Sequence, residues 1–344
     1  MKAAVLQQAE DLKIMDLPKP TPGPGEIIME VRSALTCGTD VKTFRRGHPT
    51  IPFGGNHTAF GHEGSGVVYE IGQGVIKFNV GDRIAAHNTA PCHSCYSCQV
   101  GDYSMCDDLQ QMRGTWAEYV RIPAALVKET IFKIPNEMSH KSAALLEPLA
   151  CAVYGVDQSN IQLGDTVVVN GCGPIGLMML HCAKLKGAYV IACDFNHLRL
   201  DAAKCLGADM TIDLKMVDDQ VKAVRDLTPY SRGVDVAIEA TGVPEVWEKN
   251  ILMARKGGLV MEFGGCKPGT SINIDTKLLH YSQLTIKGVY HTTPKHVGMA
   301  FELIKRGEFP ERIMINKAFQ LDNALDALLS HANGESIKNE IVVK

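Results

Sequence analysis

The chain has 344 residues, 45% hydrophobic and 21% charged, with a formal net charge of -3 at pH 7. Those proportions fit a globular enzyme of about two domains and exclude a disordered or fibrous chain. The near balance of charge offers no surface for nucleic acid or membrane, and the first fourteen residues carry acids without a continuous apolar run, so neither a signal peptide nor a transmembrane segment is expected.

Taken in order, the chain opens with a short strand from Lys2 to Leu6. A proline-rich link, Pro18 to Gly25, excludes a helix and leads into a strand from Glu26 to Ser33. Turns and short strands punctuated by Gly and Pro continue to about residue 150, which predicts a β-rich module. From about 151 strands and helices alternate, with strands near Val167, Val190, Met210, Val234 to Glu239, Leu259 to Phe263 and Leu284 to Val289. Six strands in that alternation predict a doubly wound parallel sheet. Helices from Pro294 to Arg306 and Asp322 to Ala332 and a strand from Glu340 to Val343 close the chain. The expected division is 1–150, 151–293 and 294–344.

The run from Thr166 to Asp194 reads as strand, tight turn, helix, strand. Gly171-Cys172-Gly173-Pro174-Ile175-Gly176 puts glycine at its first, third and sixth positions. A dinucleotide pyrophosphate needs that spacing, for the turn, for backbone approach to the phosphates, and for close helix–strand packing with the helix amino end toward the anion. Asp194 lies 18 residues beyond Gly176. At a strand end it is placed to accept the ribose hydroxyls and to repel a 2′-phosphate, which favours NAD over NADP. Arg199, one helical turn later, is the residue that could instead serve a phosphate.

Four of the eleven cysteines crowd between Cys92 and Cys106. Cys92, Cys95, Cys98 and Cys106 have a spacing expected by chance about 3 × 10⁻⁵ times per starting cysteine. Four thiolates close a tetrahedral zinc site with no open position, so this zinc is expected to be structural. Clustered thiols without secretory features also point to a reducing compartment, the cytoplasm. A second donor set is scattered: Cys37, His62, Glu63 and Glu147. One sulfur, one imidazole and one or two carboxylates suit a catalytic zinc that keeps a place for substrate. Each residue alone also has an ordinary structural reading.

The motifs together resemble the zinc-dependent medium-chain dehydrogenases, closest to the sorbitol (polyol) and L-threonine 3-dehydrogenase branches. The resemblance spans nearly the whole chain. It rests on Pro22-Gly23-Pro24-Gly25-Glu26, Cys37-Gly38-Thr39-Asp40, Gly61-His62-Glu63, Val80-Gly81-Asp82-Arg83, the four-cysteine lobe, Glu147-Pro148-Leu149, the glycine turn with Asp194, and Glu239-Ala240-Thr241-Gly242. It implies an α/β protein with a GroES-like β-rich catalytic domain, a Rossmann domain for NAD, and a last segment that returns to the first domain. It further implies zinc on Cys37 and His62, with Glu63 binding it directly or through an exchange of ligands and Glu147 touching the metal or holding a water, alternatives the sequence leaves open. Thr39, with His48 or His57, would pass the alcohol proton outward, and Thr241 would line the cofactor. The carboxylate at Glu147 favours polyols over simple alcohols. The rival substrate is a 3-hydroxy amino acid such as L-threonine, for which Arg45, Arg46 or Arg113 would hold the carboxylate; a noncatalytic nucleotide-binding protein is the remaining alternative. A homo-oligomer is implied, dimer or tetramer, with the sixth strand as a pairing edge.

Overall fold

The computed structural model describes residues 1–47 and 59–344. They divide into two compact units, Met1–Ala150 with Thr292–Lys344, and Cys151–His291.

In the first unit, a mixed sheet runs Ile315–Gln320, Lys338–Val342, Ile27–Leu35, Gly64–Ile71, Arg83–Ala86, Ile131–Lys133, with Tyr119–Ile122 also paired to Ile27–Leu35. Its alternating apolar positions fill the core: Ile27, Met29, Val31, Val68, Ile84 and Ile122 pack with Trp116, Leu328 and Ile341. Each such side chain contributes about 1.5–3 kcal/mol by leaving water. The final strand starts at Lys338, earlier than the hydrophobic pattern suggests, and pairs parallel to Ile315–Gln320 and antiparallel to Ile27–Leu35.

Within the stretch expected to be turns and short strands stands a nine-residue helix, α1 (Gly38–Arg46). Its start is chemically specified. Cys37 is the N-cap, its sulfur accepting from Thr39 N, while Asp40 reaches back to Cys37 N; Arg45 and Arg46 occupy the last turn, where the helix dipole favours positive charge. A longer helix, α2, spans Leu146–Gln158.

The second unit is a parallel sheet. Numbered along the chain, its strands are β1 (Thr166–Asn170), β2 (Tyr189–Asp194), β3 (Met210–Asp213), β4 (Val234–Glu239), β5 (Ala254–Glu262) and β6 (Thr285–Gly288). Their spatial order is β3-β2-β1-β4-β5-β6, so the connection reverses between β1 and β4. In such sheets a crevice opens outside the carboxyl ends of the strands at that switch point. β1 and β4 are buried along their whole length, as expected of central strands covered on both faces. Helices α3 (Pro174–Leu185) and α4 (Pro244–Met253) follow β1 and β4.

Candidate active site and metal centres

In the first unit, Cys37, His62 and Glu63 offer one sulfur, one imidazole nitrogen and one carboxylate oxygen, all within 4.8 Å of one another. Cys37 is presented by the cap of α1. His62 and Glu63 enter the strand Gly64–Ile71 from Gly61, whose φ of 82° is left-handed. A Cβ at Gly61 would lie 2.2 Å from the Trp116 ring, so glycine is required there.

Asp40 joins two of the donors. One oxygen accepts from Cys37 N at 3.0 Å, and the other lies 3.0 Å from His62 Nδ1. That fixes the ring and leaves Nε2 as the free coordinating nitrogen. Burial opposes a charge on His62, but Asp40 and then Cys37 outweigh it and hold its pKa well above the ordinary value.

Glu63 is fully buried against an equally buried cation, with Lys338 Nζ 2.8 Å from Oε1 and 2.7 Å from Oε2. Asn339, the next residue of that strand, donates its N–H to Thr36 Oγ1 at 2.9 Å, and His331 Nδ1 meets the same hydroxyl at 2.8 Å. The loop carrying Cys37 is thus gripped from the carboxyl-terminal strand.

Glu147 sits in the first turn of α2, 6% exposed. Its carboxylate is grouped with a ring nitrogen of His87, within 4.8 Å, rather than with the other three donors. Burial pushes it up to about 7; His62 and Lys338 pull against that, and Glu63 and Asp40 add to it. Thr39 is exposed at the start of α1. His48 and His57 lie outside the described residues. Arg45 and Arg46 are exposed, and Arg113 donates to Gln111.

The four-cysteine lobe brings Cys92, Cys95, Cys98 and Cys106 within 4.8 Å of one another, with no disulfide. Backbone N–H groups aim at the sulfurs: Ser94 and Cys95 donate to Cys92, and Cys92 donates to Cys106. Hydrogen bonds from Ser94, by side chain and backbone, and from Cys95 lower the Cys92 thiol to about 6, while burial pushes Cys98 up to about 12. Both donor sets fit zinc, the mixed one with room for a further ligand and the all-sulfur one closed.

In the second unit, the glycine turn carries the second candidate site. A Cβ at Gly176 would lie 1.9 Å from Gly171 O, and one at Gly171 would lie 2.5 Å from Thr241 Cγ2. At Gly173 a Cβ would meet no atom of the described residues within 4 Å. Two of these glycines therefore serve packing, and the third borders open space. Gly173 caps α3 without a side chain, followed by Pro174 and Ile175, so the first N–H groups of a twelve-residue helix face outward. Asp194, at the end of β2, accepts from Cys172 N at 2.7 Å and Asn196 N at 2.9 Å, and retains lone pairs for a further donor. Arg199 Nη1 is 3.9 Å from it.

Lone-residue reasoning misses Asp40, Lys338 and His87. The spacing Cys37-x-x-Asp40 matches a capping box and signals the first, whereas Lys338 and His87 have no local signal.

Residues 23–136 match the alcohol dehydrogenase GroES-like domain and residues 174–306 the zinc-binding dehydrogenase domain. The chain is 30% identical over 348 residues to the sorbitol dehydrogenase of Halalkalibacterium halodurans, covering 98% of each. It is 32% identical over 299 residues to the L-threonine 3-dehydrogenase of Alteromonas mediterranea, covering 84% of each. Among solved structures it is similar to a zinc-binding dehydrogenase from Sinorhizobium meliloti 1021 bound to NADP, with a TM-score of 0.91, 30% identity and 99% of both chains covered.

Proposed function

Because the chain belongs to the zinc-dependent medium-chain dehydrogenase family, we propose that it exchanges a hydride between a secondary alcohol of a polyol or sugar-like substrate and NAD. The observation that carries the reading is the convergence of Cys37, His62 and Glu63. The similarity to a sorbitol dehydrogenase and the carboxylate at Glu147 support the substrate class.

Cys37, His62 and Glu63 would hold one zinc per chain, with Glu147 touching it or holding a water beside it, and the four cysteines of the lobe would hold a second, structural one. A zinc held by the first set would make a bound alcohol acidic, as zinc lowers the pKa of water from about 15.7 to about 7, and a nicotinamide would supply the hydride acceptor. The protein supplies position and proton traffic. Asp40 orients His62, and Lys338 balances the charge of Glu63. Thr39, with His48 or His57, would lead the alcohol proton outward. Asp194 accepts the ribose hydroxyls and repels a 2′-phosphate, which supports NAD, while the amino end of α3 with Gly171, Gly173, Pro174, Ile175 and Gly176 receives the pyrophosphate and Thr241 borders it. Arg199 stands beside Asp194 as the group that would answer a phosphate instead.

The grouping of Cys92, Cys95, Cys98 and Cys106 as a metal-ligand set supports a reducing compartment, the cytoplasm. No described helix is long and apolar enough to cross a membrane. A homo-oligomer, dimer or tetramer, is proposed through β6, which ends the sheet with Thr285 and Gly288 exposed. Sedimentation as a monomer at micromolar concentration removes that proposal.

The test is NADH formation by zinc-loaded protein across polyols, sugars, L-threonine and simple alcohols, with NADP in parallel. Turnover of polyols with NAD, lost in Cys37→Ser, supports the reading. Turnover of L-threonine alone moves the protein to the rival substrate, and no turnover despite NAD binding favours a noncatalytic role.

A further inference from the structure

Two carboxylates stand side by side at the carboxyl ends of β4 and β5. Glu239 and Glu262 are register partners on these adjacent parallel strands, so their side chains leave the same face of the sheet. Both are buried, at 0% and 3% exposure. Glu239 is fully employed. Its Oε1 accepts from Thr241 N at 2.6 Å, Gly242 N at 2.9 Å and the Thr241 hydroxyl, and its Oε2 accepts from Gly264 N at 3.2 Å.

Glu262 is different. Among the described residues neither of its oxygens meets a hydrogen-bond partner in good geometry, and both are sealed from solvent. On α4 the Asn250 amide eases the burial, but it is already shared between Asn170, Ala237 O and Met261 O. On β6 the residue opposite is Gly288, and Lys287 beside it is turned to Gln158, with Nζ–Oε1 2.6 Å. Among the described residues Glu239 is the charged group that acts on Glu262, and no cation does. In a site sealed from solvent, the charge of Glu239 on the neighbouring strand opposes a second charge on Glu262. A neutral carboxyl, by contrast, has an O–H to give.

We propose that Glu262 works as a neutral carboxylic acid that donates its O–H to Glu239 Oε2, and is thereby a positioning residue for the cofactor turn. The proposal rests on the reading of that turn as the NAD site. Glu239 fixes Thr241, and the Thr241 methyl lies against Gly171, the first glycine of the turn. Ala240 packs toward Gly176, its Cβ 3.3 Å from where a Cβ there would stand. The posture of Glu239 is thus passed to both packed glycines. Burial, and then the charge of Glu239, push Glu262 up to about 8. The acid therefore keeps its proton at neutral pH and loses it just above. Repulsion then competes with the hydrogen bonds that hold Thr241, Gly242 and Gly264.

The experiment is NADH binding, read by nucleotide fluorescence, to zinc-loaded wild type, Glu262→Gln and Glu262→Leu at pH 7 and pH 9. Wild type is expected to weaken about tenfold, since one unit above a pKa of about 8 roughly a tenth of the molecules keep the proton. Glu262→Gln donates an N–H at either pH, so it should match wild type at pH 7 and weaken no more than about twofold by pH 9. Glu262→Leu has nothing to titrate and should bind equally at both pH values, which covers the case in which the amide disturbs folding. An undiminished alkaline loss in the folded variants overturns the proposal. Infrared spectra at pH 7 give a readout independent of cofactor: the carbonyl band of a protonated carboxyl, present in wild type, should diminish in Glu262→Gln and Glu262→Leu, and an unchanged band overturns the proposal. If NADH fails to bind wild type at either pH, the cofactor reading falls, and the infrared comparison still decides where the proton resides.

Discussion

Lys338 and Glu63 form an ion pair with neither side chain exposed, 2.7 Å between Nζ and Oε2. The importance of such a pair lies in the penalty for removing one member and stranding the other. Lys338→Met leaves a buried carboxylate uncompensated and should cost about 3–5 kcal/mol in urea unfolding. Lys338→Met combined with Glu63→Gln should recover about half of that or more at equal metal loading. A single variant as stable as wild type would show that Glu63 does not depend on the lysine.

Cys98 is the most deeply buried of the lobe cysteines. A serine there supplies no thiolate, so Cys98→Ser should lower metal content by about one zinc per chain and expose the segment 92–106 to protease. Atomic absorption and limited proteolysis check both. Undiminished zinc with a protected lobe would exclude a structural metal there.

His140 provides a pH dependence with a defined sign. Its Nε2 accepts from Arg83 Nε at 3.3 Å, and its Nδ1 lies 2.9 Å from Ser65 Oγ, whose own proton goes to Ile84 O. The ring is therefore held neutral, and burial followed by Arg83 lowers its pKa to about 4. Folded protein binds fewer protons than unfolded between the ordinary value of 6.5 and about 4, so stability is lost as pH falls through that window. His140→Gln should flatten the fall in thermal midpoint over the same range, and an identical fall in the variant would assign it to other groups.

Gly173 and Gly176 separate binding from folding. Gly176→Ala drives a methyl to 1.9 Å from Gly171 O and should lower both thermal midpoint and NADH affinity. Gly173→Ala meets no atom within 4 Å, so it should leave the midpoint nearly unchanged and weaken NADH about tenfold or more by crowding the phosphate approach. Equal affinity in Gly173→Ala would place the pyrophosphate elsewhere.

The parts legible in the sequence are those whose signal is local. The glycine turn, the strand–helix alternation and the Cys92–Cys106 cluster each lie within a few dozen residues, and periodicity or spacing exposes them. What escapes is set by sheet register. Lys338 reaches Glu63 across 275 residues, and only the pairing of its strand beside Ile27–Leu35 brings it there. Glu262 reads as an ordinary strand-end acid until its register partner proves to be Glu239. The nearness of His87 to Glu147 likewise depends on two separate elements. Helix α1 is hidden by surrounding turn residues, although the Cys37 and Asp40 pair at its start carries the capping pattern.

The interruption of the first unit by the second has a consequence for synthesis. Residues 151–291 all leave the ribosome before Thr292–Lys344, so the second unit has its full sequence while the first still lacks two strands of its sheet, Ile315–Gln320 and Lys338–Val342. Cys37, His62 and Glu63 must wait in a nascent chain until Lys338 and Asn339 arrive to hold Glu63 and Thr36. Contacts of such long range close slowly. A thiol, an imidazole and a carboxylate left open for that interval form a donor set that other divalent ions also bind.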